Sequence, residues 1–445
     1  MNPNEGLRPR RFYLNRLAAF QDTEPVKIIT GIRRCGKSKL MDLMIQHIRD
    51  QGVPESRILK MNFESYAYAE MTPGQFHQYV TERVAPGGRT YLFFDEPQLI
   101  KGWEKVVNAF RVDLDCDIYI TGSNAYLLSG EYATYLSGRH VEIRMYPLTF
   151  SEFLDFHGFK VSVVPDAFGG SKKAIKDQTG LIYTPEEAFN AFLRYGGMPG
   201  LADVGLNQEN AMTLLDGVYT TVLVRDILQR DQMTNQRKVT DQQLLQRMTR
   251  YLAGNIGNLT SYTNMSKELF KAGLLSDNEK TEDKPRSSAP SVHTVQDYVS
   301  ALMKAYMFQE VRRFDVKGNA MLKTQGKFYI ADVGLRNYLL GFTNEDRGKL
   351  LENVVYLELM KRGYDVSVGK LRDREVDFRA VRGGETSYFQ VSEMLGDEKT
   401  RNREMAPLQE IDDNYPKVIL SLDPETPNTM KGIYQRNLIQ WLLDE

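Results

Sequence analysis

The sequence predicts an α/β protein built around a phosphate-binding loop. Three observations predict it. "VKIIT" (Val26 to Thr30) is a short β-branched run suited to a buried parallel strand, "GIRRCGKS" (Gly31 to Ser38) follows at once, and "SKLMDLMIQHIRD" carries Leu40, Met41, Met44, Ile45 and Ile48 at helical spacing. Strand, glycine loop and helix in that order are what phosphate binding requires, because loop N–H groups and the positive helix end surround the anion.

The loop residues Gly31, Ile32, Arg33, Arg34, Cys35, Gly36, Lys37, Ser38 and Lys39 form the candidate cradle for ATP. Lys37 is placed to reach the β- and γ-phosphates, and the Ser38 hydroxyl to take one Mg²⁺ position. Next, "TYLFFDEPQLIKGWEKVVNAF" puts strand-like Tyr91 to Phe94 directly before Asp95 and Glu96. An acid at the C-terminal end of a strand neighbouring the phosphate loop can hold Mg²⁺, and a second carboxylate beside it can polarise water. Asp95 is therefore assigned to the metal and Glu96 to the water. The next strand, "CDIYITGSN", ends in Ser123 and Asn124, which a parallel sheet would bring out at the same edge, facing the γ-phosphate. A helix-like stretch, "AYLLSGEYATYLSGR", then closes with Arg139 before the strand-like "HVEIRMYPL". Arg139 reads equally as a helix-capping arginine and as a cation reaching a neighbouring subunit's nucleotide.

With 445 residues, 42% hydrophobic and 26% charged, the chain has room for several domains. A net charge of −1 gives no overall basic footprint, so any nucleic-acid contact must come from a local patch. The two cysteines, Cys35 and Cys116, make neither a disulfide framework nor a zinc cluster and suit a reducing cytoplasm. The N-terminal "MNPNEGLRPRRFYLNRL" lacks an apolar core, and no apolar run is long enough for a bilayer, so no membrane association is expected.

The runs "GIRRCGKS", "FFDEPQLIKGWEKVV", "ITGSNAYLLSGEYATYLSGRHVEIRMYPLTFSEFL" and "RYGGMPG" resemble a widespread family of bacterial and archaeal AAA-type ATPases. Its members carry a C-terminal domain of restriction-endonuclease-like, PD-(D/E)XK, fold. The resemblance covers nearly the whole chain, with the motifs in order. It implies that Lys37 and Ser38 are the phosphate-loop pair, Asp95 and Glu96 the second motif, and Ser123 with Asn124 the sensor after the fourth strand. Arg139 falls where such proteins place an arginine finger, and the resemblance implies homo-oligomeric rings or partner-completed sites.

Four segments are expected: an AAA-type core over 1–155, a surface insertion and helical lid over 156–237, a winged helix over 238–345, and an endonuclease-like domain over 346–445. About Val161 to Tyr183 the composition is glycine- and lysine-rich with little periodicity, which reads as a surface insertion. "TPEEAFNAFLRYGGMPG" restarts a helix at the Thr184 cap and Pro185 and ends it at Gly196 and Gly197. Helical sequence continues to about Arg237, with Arg225, Asp226 and Arg230 interrupting an apolar face, as a lid over the nucleotide. Tyr195 and Arg225 read there as nucleotide or neighbour contacts, or as packing.

Between Val239 and Phe342 three helices are predicted. The first has Leu244, Leu245, Met248, Tyr251 and Leu252 on one face; "MSKELFKAG" supplies the second; the third is capped by Thr294 and carries Val295, Tyr298, Val299, Leu302 and Tyr306. "FQEVRRFDV" and "AMLKTQGKFYIAD" follow as a hairpin turning at Lys317, Gly318 and Asn319. Three helices and a hairpin make a winged helix. Its cations Arg312, Arg313, Lys317, Lys323 and Lys327, with Lys304 on the third helix, predict DNA binding of low sequence specificity; the alternative is a module for packing or protein contacts.

In the tail, a helix carries Glu352, and "REVDFRAV" and "TSYFQVS" form a hairpin. The endonuclease-like metal site needs an aspartate, then a carboxylate and a lysine two apart on the next strand. Asp377 fits the first position, but Gln390 and Ser392 stand at the other two. A lysine from the following helix, Lys399, or the acids Glu393 or Glu375 could rescue the site; otherwise the fold is kept without cleavage, for nucleic acid or a protein partner. The functional reading is a DNA-associated, Mg²⁺-dependent ATPase. Its alternatives are a nucleotide-gated switch or scaffold for protein partners in defence or stress, and an ATP-dependent nuclease.

Overall fold

The computed structural model describes residues 8–84, 87–128, 138–165, 171–177, 179–229, 238–275, 289–424 and 428–444. The chain forms two compact units, Met1–Tyr146 with Lys304–Tyr306, and Pro147–Met303 with Met307–Glu445.

The first unit is a five-stranded parallel sheet in the order β2-β3-β4-β1-β5, made of β1 (Val26–Thr30), β2 (Ile58–Asn62), β3 (Thr90–Asp95), β4 (Cys116–Gly122) and β5 (His140–Arg144). β1 and β3 are buried along their whole length, as parallel strands covered on both faces must be. The helices are α1 (Arg11–Ala18), α2 (Lys37–Asp50), α3 (Pro73–Thr81) and α4 (Trp103–Asp113). In α2 the predicted stripe of Leu40, Met41, Met44, Ile45 and Ile48 is buried. Phe76 of α3 meets Phe94 and Phe110 edge to face at 5.0 and 5.4 Å, and each such pair adds about 1 kcal/mol to the area it buries.

β4 lies between β3 and β1, so Asp95 reaches the phosphate loop from the strand beyond β1's neighbour. Hydrophobic patterning marks a strand as buried but carries no information about which neighbour it takes. The helix read from Ala125 to Arg139 falls largely on residues 129–137, outside the described residues.

The second unit opens with α5 (Phe150–Phe156) and an antiparallel sheet of β6 (Lys160–Pro165), β7 (Ser171–Lys176) and β8 (Ile182–Tyr183). The stretch read as a surface insertion with little periodicity therefore contains strands; Val161 and Val163 of β6 are exposed, so no buried apolar stripe marks the strand in the sequence. Next come α6 (Pro185–Tyr195), α7 (Leu201–Val204) and α8 (Gln208–Thr221), running on into a π-helical turn, Val222–Gln229. α6 has the predicted Thr184 cap, closed into a box by Glu187. Arg225 is exposed and Asp226 buried, while Arg230 lies outside the described residues.

The remaining elements are α9 (Gln242–Gly254), β9 (Leu259–Thr260), α10 (Tyr262–Leu275), α11 (Val292–Lys304), β10 (Phe308–Asp315), β11 (Ala320–Ile330), α12 (Val333–Leu340), α13 (Arg347–Lys361), β12 (Asp365–Lys370), β13 (Glu375–Arg382), β14 (Glu385–Val391), α14 (Glu398–Glu410), β15 (Lys417–Ser421), β16 (Asn428–Met430), β17 (Ile433–Asn437) and α15 (Leu438–Leu443). α11 begins earlier than predicted: Ser291, not Thr294, accepts the first-turn N–H. Tyr306 lies beyond the helix at φ 59°, with the first unit.

The strands join in one nine-stranded sheet, β16-β17-β15-β14-β13-β12-β10-β11-β9. The expected division at 345/346 is no break in it, because β10 pairs antiparallel with β11 and parallel with β12, matching Arg313 to Val368 and Asp315 to Lys370. β10, β11 and β12 thus belong to one ladder.

"RYGGMPG" serves as a junction in this unit. The buried Asp332 caps α12, accepting Leu335 N–H at 3.0 Å, and also accepts Gly197 N–H at 2.6 Å. Burial pushes its carboxyl up to about 6 despite these donors. A Cβ on Gly334 would stand 1.9 Å from the Tyr195 carbonyl oxygen. Gly334→Ala is therefore expected to cost about 3 kcal/mol, read as a lower urea midpoint of unfolding; an unchanged midpoint would refute the junction. Among the described residues, no helix is long and apolar enough to cross a membrane.

Candidate functional site

The C-terminal edge of the parallel sheet collects the residues that the motifs single out. Register sets Asp95 beside Asn62 and Thr121, and Thr30 beside Gly122 and Arg144. From Thr30 the chain enters the loop, where Gly31 at φ 144° passes so close to β5's end that a Cβ would lie 2.2 Å from the Met145 carbonyl oxygen. Arg34 and Gly36 also take positive φ, 64° and 106°. α2 then starts at Lys37 with no side-chain cap, so its first N–H groups remain for an anion. The Lys37 ammonium is buried and folded onto the Gly31 and Ile32 carbonyls at 3.0 and 3.2 Å. Arg33 pairs with Glu64, Cys35 is buried beneath the loop, and Lys39 is exposed on α2's first turn.

Ser38 donates to Asp95 Oδ1 at 3.1 Å, and Thr121 donates to the same oxygen. A hydroxyl and a carboxylate at this separation are hard-oxygen donors of the kind Mg²⁺ takes. Glu96 follows in the left-handed region at φ 55°, a conformation that costs a non-glycine residue about 1–3 kcal/mol and that aims its carboxylate away from the strand. Its Oε2 accepts from Ser123 Oγ at 3.3 Å and from the Gln98 amide. Asn124 is fully buried next to Ser123. A metal-type pair and a restrained carboxylate thus stand side by side at an uncapped helix end.

Arg139 behaves differently. It is exposed, its carbonyl accepts Val26 N–H, and it precedes β5 at the edge where β1 begins. Five strand residues, about 16 Å, separate that edge from the phosphate loop. Within its own chain Arg139 stands apart from the cluster.

The sequence reading missed four residues. Arg10 is buried and donates to the Cys35 carbonyl at 3.1 Å and the Tyr146 carbonyl at 2.9 Å, strapping the loop to the end of β5. Thr121 and Gln98 fix Asp95 and Glu96. Arg144, level with Thr30, lies over the Tyr146 and Tyr306 rings at 5.4 and 5.0 Å. The available signals were a hydroxyl at a strand end and polar residues flanking the acidic pair; nothing local marked Arg10.

In the second unit, the predicted DNA contacts scatter. Arg312 is exposed, Arg313 meets Glu375 at 3.5 Å and Gln325 at 2.9 Å, and Lys317 meets Glu410 at 3.5 Å. Lys304 is half-buried and belongs with the first unit, and the Lys323 side chain lies outside the described residues. Lys327 is not a surface cation at all: it is buried and paired with Glu352 and Asp377. Burial, then the Asp377 charge, pushes the Glu352 carboxyl up to about 7. Gln390 lies beside Asp377, whereas the Ser392 hydroxyl turns to the Met394 carbonyl at 3.2 Å. Lys399, Glu375 and Gln390 line a cavity of about 650 Å³ with Arg374, Arg403 and Glu404. Glu393 pairs with Arg347.

Residues 23–154 match the AAA domain, and residues 186–346 match a domain of unknown function (DUF8612). An uncharacterized protein of Haemophilus influenzae is 34% identical over 438 residues, 98% of each chain. An uncharacterized protein of Methanocaldococcus jannaschii is 27% identical over 85% of this chain and 77% of its own. Among solved structures, a Walker-type ATPase of Pyrococcus abyssi aligns over 76% of this chain and 97% of its own, at 16% identity and a TM-score of 0.43.

Proposed function

Because the chain belongs to the same family as its Haemophilus influenzae relative and carries an AAA domain, we propose that it is an Mg²⁺-dependent ATPase. In this reading its nucleotide state rearranges the second unit around bound DNA. The observation that carries the ATPase reading is the meeting of Ser38, Asp95, Glu96 and Ser123 at one sheet edge, beside the uncapped start of α2.

Each residue then has a role. Lys37 leaves the Gly31 and Ile32 carbonyls for the β- and γ-phosphates, which the loop N–H groups surround. Ser38 and Asp95 hold Mg²⁺, which when bound neutralises charge on the phosphates. Glu96, restrained by Gln98 and Ser123, orients the attacking water and accepts its proton at the carboxylate. Asn124 helps to sense the γ-phosphate. Arg139, too far from its own loop, completes the site of a neighbouring copy, which makes the working form a homo-oligomer. Helices 185–229 act as the lid, 238–345 as a winged helix and 346–445 as an endonuclease-like tail, and a reducing cytoplasm suits the free Cys35 and Cys116.

A second reading is favoured by a specific observation. Arg313, Lys317 and Lys327 are held by acids within the unit, which leaves Arg312 as the weightier phosphate contact of the hairpin and strengthens the case for a nucleotide-gated switch that binds protein partners. The deciding measurement is MgATP hydrolysis with single-stranded, duplex and branched DNA at low and high salt, with Glu96→Gln as the blank. Stimulation by one DNA form that fades with salt supports the DNA reading, since phosphate contacts release counterions. Turnover indifferent to every DNA sinks it in favour of the switch.

A further inference from the structure

The endonuclease-like fold implies a divalent cation between the Glu352 and Asp377 carboxylates, and the residues present do not fit one. Strand pairing brings Lys327 of β11 into that position: its ammonium donates to Glu352 Oε1 at 2.8 Å and to Asp377 Oδ1 at 3.1 Å. Further hydrogen bonds hold the neighbouring groups. Tyr329 donates to the same Glu352 oxygen at 2.6 Å, and the other Asp377 oxygen accepts Val391 N–H at 3.0 Å. The Gln390 amide oxygen accepts Asp377 N–H at 3.3 Å while its nitrogen donates to Glu404 at 2.9 Å, so neither end of that side chain is offered to a metal. Gly257 closes one flank, where a Cβ would stand 3.0 Å from Glu352 Oε2.

The side chains of Lys327, Glu352 and Asp377 are 7%, 14% and 14% exposed. An entering dication would have to expel a buried ammonium that is paired with both carboxylates, and leaving one partner of such a group unpaired is strongly unfavourable. Hard-ion binding needs carboxylate oxygens free to turn inward, and one oxygen of each carboxylate here faces Lys327.

We propose that Lys327 is the resident cation of this centre: it stands between Glu352 and Asp377 in place of a divalent ion, so the second unit keeps the cleft without metal-dependent cleavage. The lysine missing two residues after Gln390 is thus not restored from α14 by Lys399; a lysine from the wing hairpin closes the site instead.

The test is Mn²⁺ binding to the full-length, nucleotide-free protein, followed by electron paramagnetic resonance, for the wild type, Asp377→Asn, Lys327→Met and the Lys327→Met/Asp377→Asn double variant. Lys327→Met is expected to bind Mn²⁺ about tenfold or more tightly than the wild type, and the added Asp377→Asn to abolish the gain. A folded Lys327→Met protein that gains no site overturns the proposal. If that variant fails to fold, the wild type still decides: Mn²⁺ binding lost in Asp377→Asn overturns it, and identical weak binding by both supports it.

Discussion

Glu96→Gln is expected to bind MgATP as well as the wild type and to hydrolyse it about 10²–10⁴-fold more slowly, the usual span for losing a general base. The amide is nearly isosteric and can still accept from Ser123, so the loop, the Ser38–Asp95 pair and the left-handed turn at Glu96 are retained. Only the capacity to take a proton is removed. Fluorescent-nucleotide binding alongside single-turnover hydrolysis separates the two effects. Turnover within about threefold of the wild type would mean that another group activates the water, and the roles given to Asp95 and Glu96 would have to be reassigned.

Arg139→Ala should remove about 10³-fold or more of hydrolysis, the worth of a cation on the transferring phosphoryl group. The expectation turns on position. Arg139 lies at the edge where β1 begins, about 16 Å from its own loop, so its effect must be exerted on another copy. Mixing Arg139→Ala with Lys37→Ala protein therefore restores part of the activity, since one supplies the intact loop and the other the arginine. Full activity of Arg139→Ala alone, or no restoration after confirmed co-assembly, would return the residue to an ordinary exposed arginine.

The nucleotide-type site was legible because its parts are sequence-local. Gly31, Lys37 and Ser38 directly follow a strand, and Asp95, Glu96, Ser123 and Asn124 each end or follow one, so a parallel sheet delivers them to one edge whatever the strand order. The order itself, with β4 between β1 and β3, was not legible, because each of these strands shows the same apolar run. Lys327 is the clearest failure. Between Gly326 and Phe328 it reads as a wing cation, and only pairing with Glu352 and Asp377, 25 and 50 residues away, turns it inward. Long-range register decides such a residue, and no local pattern records it. The strands β6 and β7 fall between these cases: they pair along their length, but exposed Val161 and Val163 leave no buried stripe to mark them in the sequence.

The parallel pairing of β10 with β12 also governs how the chain can be divided. A fragment ending at residue 345 would keep the helices with β10 and β11 but strip the far edge of β10, baring the backbone groups of Arg313 to Asp315. A fragment beginning at 346 would bare the matching edge of β12. Uncovered strand edges recruit further strands, from copies of the same fragment first of all. Separate expression of the two halves should therefore give self-associating material even when each half contains every residue of its supposed domain, whereas a C-terminal piece that starts before β10, at Met307, keeps this seam closed.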